Sequence, residues 1–260
     1  MLTLVLGTGG REHAIAWKLS ENLGPSKVFL HPGNAGTESA GIATLGDVDW
    51  KDPDAVAFKA KSLGISLVVI GPEMLLATGY ADRLREIGFL VVGPGKEAAQ
   101  LESSKVFAKE FMKRAEIPTA PFQVVDSKEG LAKAVTTFPI VLKLDGLAAG
   151  KGVVVATNRN EAIAFGDRVW STDEFGPGPH KMVLEGFLSG VEVSYLGFCD
   201  GKRFVPLATA TDYKRIGDND TGANTGGMGA ISPSPYFTTA LQDRILDTGG
   251  LVRNCSESDW

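Results

Sequence analysis

Histidine and cysteine are scarce in this chain. Three of its 260 residues are His and two, Cys199 and Cys255, are Cys. Two thiols cannot build a disulfide framework, and a reducing compartment fits them better than an oxidising one. No Cys/His spacing has the form of a zinc site, so no residue is assigned to a metal. Long apolar runs are missing as well: the longest fall well below the ~18 residues that a membrane helix needs. The first residues read as a strand, not as a charged segment leading to a cleavage site. Excess positive charge is also missing. The net charge is −5, which gives no general attraction to nucleic acid or to an anionic membrane. No Ser/His/Asp or Cys/His set presents a nucleophile beside its base; His13 and His31 lie near expected loops without such a partner. The expectation is a cytoplasmic protein that binds neither nucleic acid nor membrane, and whose basic residues act locally.

What is present is ordinary in bulk and unusual in its glycines. Hydrophobic residues make up 43% and charged residues 22%, enough for a real core in one or two domains. The 32 glycines fall in clusters, which points to function more than to linkers. The densest cluster lies within 140–156, which reads as two apolar, β-branched strands around a Gly-rich loop. Lys143 lies in the first strand. The loop carries Asp145, Gly146, Gly150, Lys151 and Gly152, with Ala148 and Ala149 between them. Glycine lets backbone N–H groups come close to a ligand, and lysines beside such a loop suit a polyphosphate. A flexible cover over a nucleotide is the reading this stretch supports.

In the first hundred residues, strand-like runs at 2–6, 27–30, 67–70 and 89–92 alternate with helical patterns at about 10–23 and 78–87. That alternation indicates βαβ units and a parallel sheet. Gly-bearing loops at 7–10, 71–73 and 93–95 each follow the C-terminal end of a strand, the edge along which open α/β sheets bind ligands. Gly9, Gly10 and Arg11 open a helix, so free N–H groups and a guanidinium could hold one phosphate there; plain tight turns are the alternative. A nicotinamide dinucleotide fits badly. Its G-x-G-x-x-G pattern needs glycine where Glu12 stands, and the second strand ends at Leu30 and His31 with no acid for a ribose. The turn-rich loop 31–37 is either a connection or a further wall of the same site.

A helix over 103–114 has Ser103 or Ser104 as its N-cap. Lys105 stands at its start, where cations are disfavoured; an anionic ligand or simple solvation would account for it. Pro118 and Pro121 mark a boundary. From 122 to 185 the pattern is βαββαβ, a compact unit of its own, with helices capped by Asp126 with Glu129 and by Asn158 with Glu161. Its last strand leads to Glu185 and to Phe187 and Leu188, a short apolar connector able to form an adenine slot, with Glu192 in reach of ribose hydroxyls. Solvated acids at a sheet edge are the alternative for Glu185 and Glu192. A strand over 191–198, a hairpin turn at Asp200 and Gly201, and a return strand over 204–208 follow. Residues 209–229 form a long polar, Gly-rich stretch that includes Asp212, Lys214, Asn224, Thr225, Gly226, Gly227 and Met228. A loop this long is functional or disordered, and this mixture of groups favours binding.

Six separated motifs, in order, resemble the phosphoribosylamine–glycine ligase (glycinamide ribonucleotide synthetase) family of the ATP-grasp superfamily. They are G-G-R-E-H-A at 9–14, P-G-N-A-G at 32–36, G-P-E at 71–73, L-E-S-S-K at 101–105, K-L-D-G-L-A-A-G-K-G at 143–152 and N-T-G-G-M-G at 224–229. The resemblance runs to about residue 246. It implies an α/β protein: an N-terminal parallel-sheet (pre-ATP-grasp, Rossmann-like) domain over 1–102, then an α+β ATP-grasp domain over 103–260 with a lid near 122–185. It also implies an ATP-dependent carbon–nitrogen ligase of purine biosynthesis. Such an enzyme joins glycine to 5-phosphoribosylamine through glycyl phosphate, giving glycinamide ribonucleotide, ADP and phosphate. ATP, glycine and 5-phosphoribosylamine would be its small-molecule partners. A non-catalytic ATP-binding chain of the same folds, or an ATP-grasp ligase for another carboxylate, are the alternatives.

By the same resemblance, Lys105, Lys143 and the loop of Asp145, Gly146, Gly150, Lys151 and Gly152 would hold the ATP phosphates. Glu185, Phe187, Leu188 and Glu192 would hold adenosine. Gly9, Gly10 and Arg11 would face phosphoribosylamine. Asp212, Lys214, Asn224, Thr225, Gly226, Gly227 and Met228 would bind glycine and the forming product, and Lys143, Asp212 and Lys214 take the catalytic assignments. Tyr213 stands where the family usually has His, Ala223 where it has Pro, and Gly186 where it has Glu. Magnesium or manganese is expected too. In the family, Glu and Asn hold it within a stretch reading like N-C-R-F-G-D-P-E. Residues 248–260 do not continue that pattern, so the ATP-grasp domain is expected to be incomplete at its C-terminal end.

Overall fold

A computed structural model of the chain describes residues 1–147, 151–219 and 221–247. The chain divides into two compact units, Met1–Ser103 and Ser104–Trp260.

The first unit runs β1 (Leu2–Gly7), α1 (Gly10–Leu23), β2 (Val28–Pro32), α2 (Ala35–Ser39), α3 (Pro53–Ser62), β3 (Ile65–Ile70), α4 (Glu73–Ala77), α5 (Tyr80–Glu86), β4 (Leu90–Val92) and α6 (Lys96–Ser103). Its sheet is parallel, in the order β2-β1-β3-β4. β1 is central and buried on both faces, which is why its sequence is an almost unbroken apolar run. Successive side chains of a strand point to opposite faces. Leu4 and Leu6 therefore join Val68, Ile70 and Leu84 in one core, while Val5 joins Val28, Leu30 and the α1 residue Ala16 in another. Leu4 is fully buried, and its truncation to Ala would cost about 2–5 kcal/mol. From β1 the chain goes first to β2 on one side and then to β3 on the other. The crevice at the C-terminal ends of these three strands is therefore a topological switch point, where ligands of open α/β sheets bind.

The helix expected over 78–87 is α5, and a short helix that was not expected, α4, precedes it, the two separated by Gly79 in the left-handed region (φ 88, ψ 18). α3, which the sequence pattern did not signal, starts at an Asp52 cap whose side chain accepts the N–H groups of Asp54 and Ala55, with Pro53 in its first turn.

The second unit runs α7 (Lys105–Arg114), β5 (Phe122–Val125), α8 (Lys128–Ala134), β6 (Ile140–Leu144), β7 (Val153–Ala156), α9 (Arg159–Ser171), β8 (Met182–Gly186), β9 (Gly197–Cys199), β10 (Phe204–Pro206), β11 (Thr211–Gly217), β12 (Thr221–Ile231) and α10 (Thr239–Asp247). β5, β8, β6 and β7 form an antiparallel sheet in that order. α8 and α9 cover one face: Leu131, Val135, Phe165 and Val169 pack against Leu142, Leu144, Met182 and Leu184. β9 and β10 form one small hairpin and β11 and β12 another.

Three expectations change in this unit. The strand expected over 191–198 reduces to Gly197–Cys199 plus an isolated bridge from Ser194 to Ala210; its pairing with the returning segment 204–210 is interrupted rather than continuous. Residues 209–229 are not a loop but most of the β11–β12 hairpin. Gly, Asn and Asp are poor strand formers in isolation, and here backbone pairing overrides that preference. α8 is capped by Ser127, whose hydroxyl accepts the Gly130 N–H at 3.2 Å, rather than by Asp126. Among the described residues no helix is long and apolar enough to cross a membrane.

Candidate functional site

In the first unit the switch point is organised by Glu12, a carboxylate inside the 9–14 motif to which the sequence assigned no role. Glu12, in the first turn of α1, is 4% exposed. Its Oε2 accepts the Gly9 N–H at 2.8 Å and its Oε1 accepts the Arg11 Nε–H at 2.9 Å. Arg11 continues outward, donating to the Gly71 carbonyl at 2.7 Å and to Glu73 Oε1 at 3.0 Å. Asn34 donates to the Thr8 carbonyl at 2.9 Å. The loops after β1, β2 and β3 are thus tied into one rim, and loop 31–37 is a wall of it rather than a bare connection.

Three glycines of that rim are there for Glu12. A Cβ at Gly7, Gly9 or Gly71 would come within 2.3, 2.7 or 2.3 Å of its side chain, closer than real Cβ contacts allow. Gly10, by contrast, has open space where its side chain would be. The loop at 93–95 is braced differently, by Arg85 donating to the Gly93 carbonyl and by Asp82 accepting the Lys96 N–H.

The expected free guanidinium and one of the expected free amides are therefore committed. The Gly9 N–H serves Glu12, and Arg11 is held by two carboxylates and a carbonyl. The Glu73 hydrogen bond raises the Arg11 pKa, and Arg11 in turn lowers that of Glu73. The Arg11 side chain is still 57% exposed, so a ligand anion can reach it by exchange with the exposed Glu73. His31 is spent on structure: buried, it pairs with the Val48 carbonyl at 2.9 Å, and burial lowers its pKa.

In the second unit three groupings emerge. Lys143 on β6 and Glu185 on β8 stand diagonally across neighbouring strands, and Lys143 Nζ lies 2.9 Å from Glu185 Oε2. Lys109 of α7 approaches the same oxygen at 3.4 Å and donates to Thr119 Oγ1 at 2.6 Å. Glu185 is not a solvated edge acid, since its side chain is 8% exposed between two cations. Its backbone lies between β5 and β6, so the adenine slot assigned to it would have to begin at the exposed Phe187 and Leu188.

The second grouping joins the Gly-rich loop to α7. Asp145 accepts from Ser104 Oγ and from the Val106 N–H, both at 3.1 Å, and Lys105 Nζ donates to the Gly146 carbonyl at 2.8 Å. Asp145 supplies the negative charge that a helix N-terminus favours, which explains how a lysine is tolerated at the first position of α7. Gly146 adopts φ 94 there. Lys151 is exposed and Gly152 buried. Gly150 lies outside the described residues.

The third grouping is on β11 and β12. Lys214 pairs with Glu192 at 2.8 Å and Asp212 at 3.4 Å, and the Glu192 bond raises its pKa. Thr225 donates to the Lys214 carbonyl at 2.8 Å and accepts the Gly227 N–H at 3.0 Å, while Gly226 and Met228 are exposed alongside. The side chain of Asn224 lies outside what is described. A cleft of ≈ 220 Å³ between α8 and α9, lined by Lys128, Leu131, Ala132 and Ile163 among others, holds none of the assigned residues.

Sequence comparison agrees with this layout. Residues 1–102 match the profile described as "Phosphoribosylglycinamide synthetase, N domain", and residues 103–249 match "Phosphoribosylglycinamide synthetase, ATP-grasp (A) domain". The chain belongs to the phosphoribosylglycinamide synthetase family. It is 45% identical over 249 residues to the phosphoribosylamine–glycine ligase of Chlorobaculum tepidum, with 94% of this chain and 59% of that protein covered. It is 44% identical over 248 residues to the enzyme of the same name from Pasteurella multocida, covering 95% and 58%. The crystal structure of phosphoribosylamine–glycine ligase from Thermotoga maritima superposes with a TM-score of 0.77 at 34% identity, over 95% of this chain and 59% of that one. N5-carboxyaminoimidazole ribonucleotide synthetase from Thermus thermophilus shares the fold alone, with a TM-score of 0.67 at 19% identity over 95% and 62%. The chain thus spans somewhat under three fifths of the length of the curated synthetases it matches.

Glu12, Asn34 and Glu73 stand inside quoted motifs but carried no assigned role, and Lys109 and Thr119 lie outside every motif. Lys109 carried a faint signal, since it follows Lys105 by one helical turn yet lies among the apolar residues of α7.

Proposed function

We propose that this synthetase-family chain serves an ATP-dependent carbon–nitrogen ligase that joins glycine to 5-phosphoribosylamine, giving glycinamide ribonucleotide, ADP and phosphate. The observation that carries the reading is Lys143. It is the solvent-reaching member of a three-charge cluster of net charge +1, and it lies in the segment that matches the ATP-grasp domain. In this reading residues 103–260 form the nucleotide-handling domain, with 122–185 as its lid, and residues 1–102 hold phosphoribosylamine. A glycine carboxylate oxygen attacks the γ-phosphorus of ATP, the bond to the bridging oxygen breaks, and ADP leaves. The amine nitrogen of phosphoribosylamine then attacks the acyl carbon, phosphate departs, and the nitrogen sheds a proton. Such transfer depends on positioning and on neutralising charge rather than on a protein nucleophile.

The residues divide accordingly. Lys143, Lys105 and Lys151 face the phosphates, with Asp145, Gly146 and Gly152 beside them; Gly150, assigned to the same role, lies outside the described residues. Phe187 and Leu188 pack on the adenine, and Glu192 borders the ribose. Arg11 with Gly9 and Gly10 receives the phosphoribosylamine. Asp212, Lys214 and the 224–228 segment hold glycine and product. Among the described residues no group of three or more His, Cys, Asp and Glu side chains could hold a metal ion, so no residue of this chain is assigned to magnesium or manganese.

A second reading is favoured by the share of its relatives that the chain spans: it binds nucleotide without turnover. The test measures ADP release by the 260-residue chain with ATP, glycine and phosphoribosylamine, omitting each in turn, alongside ADP binding by calorimetry. Release that needs all three supports the ligase. Binding without release selects the second reading, and no binding rejects both.

A further inference from the structure

We propose that Lys109, which the reaction does not touch, is a positioning residue that sets the charge Lys143 presents to a nucleotide. The proposal rests on the reading of Lys143 as a phosphate-holding residue and deepens it.

Lys109 is one of the few charged side chains buried in the protein, at 6% exposure. Its ammonium is fully occupied on the inner side: Thr119 accepts at 2.6 Å, Glu185 lies 3.4 Å away, and the Phe122 ring centroid is 5.7 Å away. A buried lysine is costly unless it is paired, and nothing about the packing of α7 on β8 requires a charge there. What it changes is Glu185. That carboxylate contacts Lys143 at 2.9 Å. Alone, the two would form a neutral pair, and Lys143 would offer a phosphate little more than a dipole. With Lys109 on the same oxygen, the acid is shared and the group keeps a net charge of +1. Exposure rises from 8% at Lys109 and Glu185 to 31% at Lys143, so the surplus charge is expressed at the residue that meets solvent. Glu185 fixes where the Lys143 ammonium sits, and Lys109 prevents that restraint from cancelling its charge.

The test compares ADP binding by isothermal calorimetry in four forms of the 260-residue chain: parent, Lys143→Met, Lys109→Met and Lys109→Met/Glu185→Gln. Lys109→Met makes the cluster neutral, and ADP affinity is expected to fall about tenfold, the order of effect of one charge acting through a partly buried site. The double variant restores a net charge of +1, carried by Lys143 alone, and is expected to bind within about threefold of the parent. Because removing the buried Glu185 charge can also restore stability, thermal melts of the same four forms accompany the titrations, and affinity is compared only at temperatures where each form is fully folded, so that recovery of binding is read apart from recovery of stability. Equal binding by parent and Lys109→Met overturns the proposal, as does a double variant no better than the single. Should Lys109→Met fail to fold, the double variant decides: parent-like affinity supports the proposal, and a loss matching Lys143→Met overturns it. A parent chain that binds no ADP, or a Lys143→Met variant that binds as the parent does, rejects the underlying reading instead.

Discussion

Replacing Glu12 by Gln changes one oxygen to nitrogen and should weaken the whole rim of the first unit. In the parent, each carboxylate oxygen serves a different donor: Oε2 takes the Gly9 N–H at 2.8 Å and Oε1 takes the Arg11 Nε–H at 2.9 Å. Glutamine has one oxygen and one NH2. Whichever way the amide turns, one of the two donors must face another donor. The side chain is 5% exposed, so the glutamine NH2 that faces a donor is itself buried away from bulk water. An unsatisfied buried donor costs about 1–3 kcal/mol. The bond that survives loses the carboxylate's charge, which removes roughly 1 kcal/mol more. The expected loss is then about 2–4 kcal/mol, and for a unit of about 100 residues this lowers the melting transition by roughly 10–30 °C. Steric fit is not part of the effect, since Gln occupies the same space against Gly7, Gly9 and Gly71. Differential scanning calorimetry of the full chain reads the shift, and amide exchange of β1 assigns the transition to the first unit. A melting point within about 2 °C of the parent, well under 1 kcal/mol, would refute the claim that Glu12 holds the rim.

Further outcomes follow from the same geometry. Lys143→Ala should lower ATP affinity by about tenfold or more through loss of the reachable charge, measured by calorimetry; unchanged affinity sinks the phosphate assignment. Arg11→Ala should weaken binding of ribose 5-phosphate, used as a stable probe for phosphoribosylamine, while ADP binding stays near the parent value; the reverse pattern would move the sugar-phosphate site elsewhere. Tyr80, buried with its hydroxyl donating to the Trp50 carbonyl at 2.9 Å, has its pKa raised above the usual 10.0, chiefly by burial. The unfolded chain therefore loses this proton first, so the contribution is complete below pH 10 and is lost as pH rises further. Denaturant titrations of the parent should show stability falling above pH 10 more steeply than in Tyr80→Phe, and parallel curves would remove Tyr80 as the cause.

Much of this was legible in the sequence because it rests on local pattern. The parallel strands of the first unit announce themselves as apolar runs, and the loops that follow them carry the glycines that tight turns require. The βαββαβ succession between 122 and 185 could be read from alternating periodicities and from caps such as Asn158. The hairpin of β11 and β12 could not. Its glycines and polar residues lack intrinsic strand preference, and only pairing between residues such as Thr211 and Ile231 makes it a strand pair. The site residues divide in the same way. Lys143, Arg11 and the Gly-rich loop stand out by composition. Lys109 and Glu12 do not, because what distinguishes them is burial, and burial is set by contacts far apart in the chain.

The two units share one electrostatic device. In each unit one cation that the motifs nominate for a ligand is held by a buried acid: Arg11 by Glu12 and Lys143 by Glu185. An acid in that position restrains a long side chain that would otherwise sample many rotamers, which lowers the entropy lost when a ligand arrives. It also opposes the ligand, because it neutralises the charge the ligand seeks. The units resolve the conflict differently. Arg11 has a second, exposed acid in Glu73, whose side chain is 46% exposed, so a ligand anion can displace that partner and leave Glu12 in place. Lys143 has no such exchangeable acid among its described contacts, and the opposing charge is instead offset from below by Lys109. The first arrangement makes binding an exchange of anions and therefore sensitive to salt. In the second the compensating charge is buried, where screening is weak, so nucleotide affinity should respond less to ionic strength than ribose 5-phosphate affinity does after allowance for ligand charge.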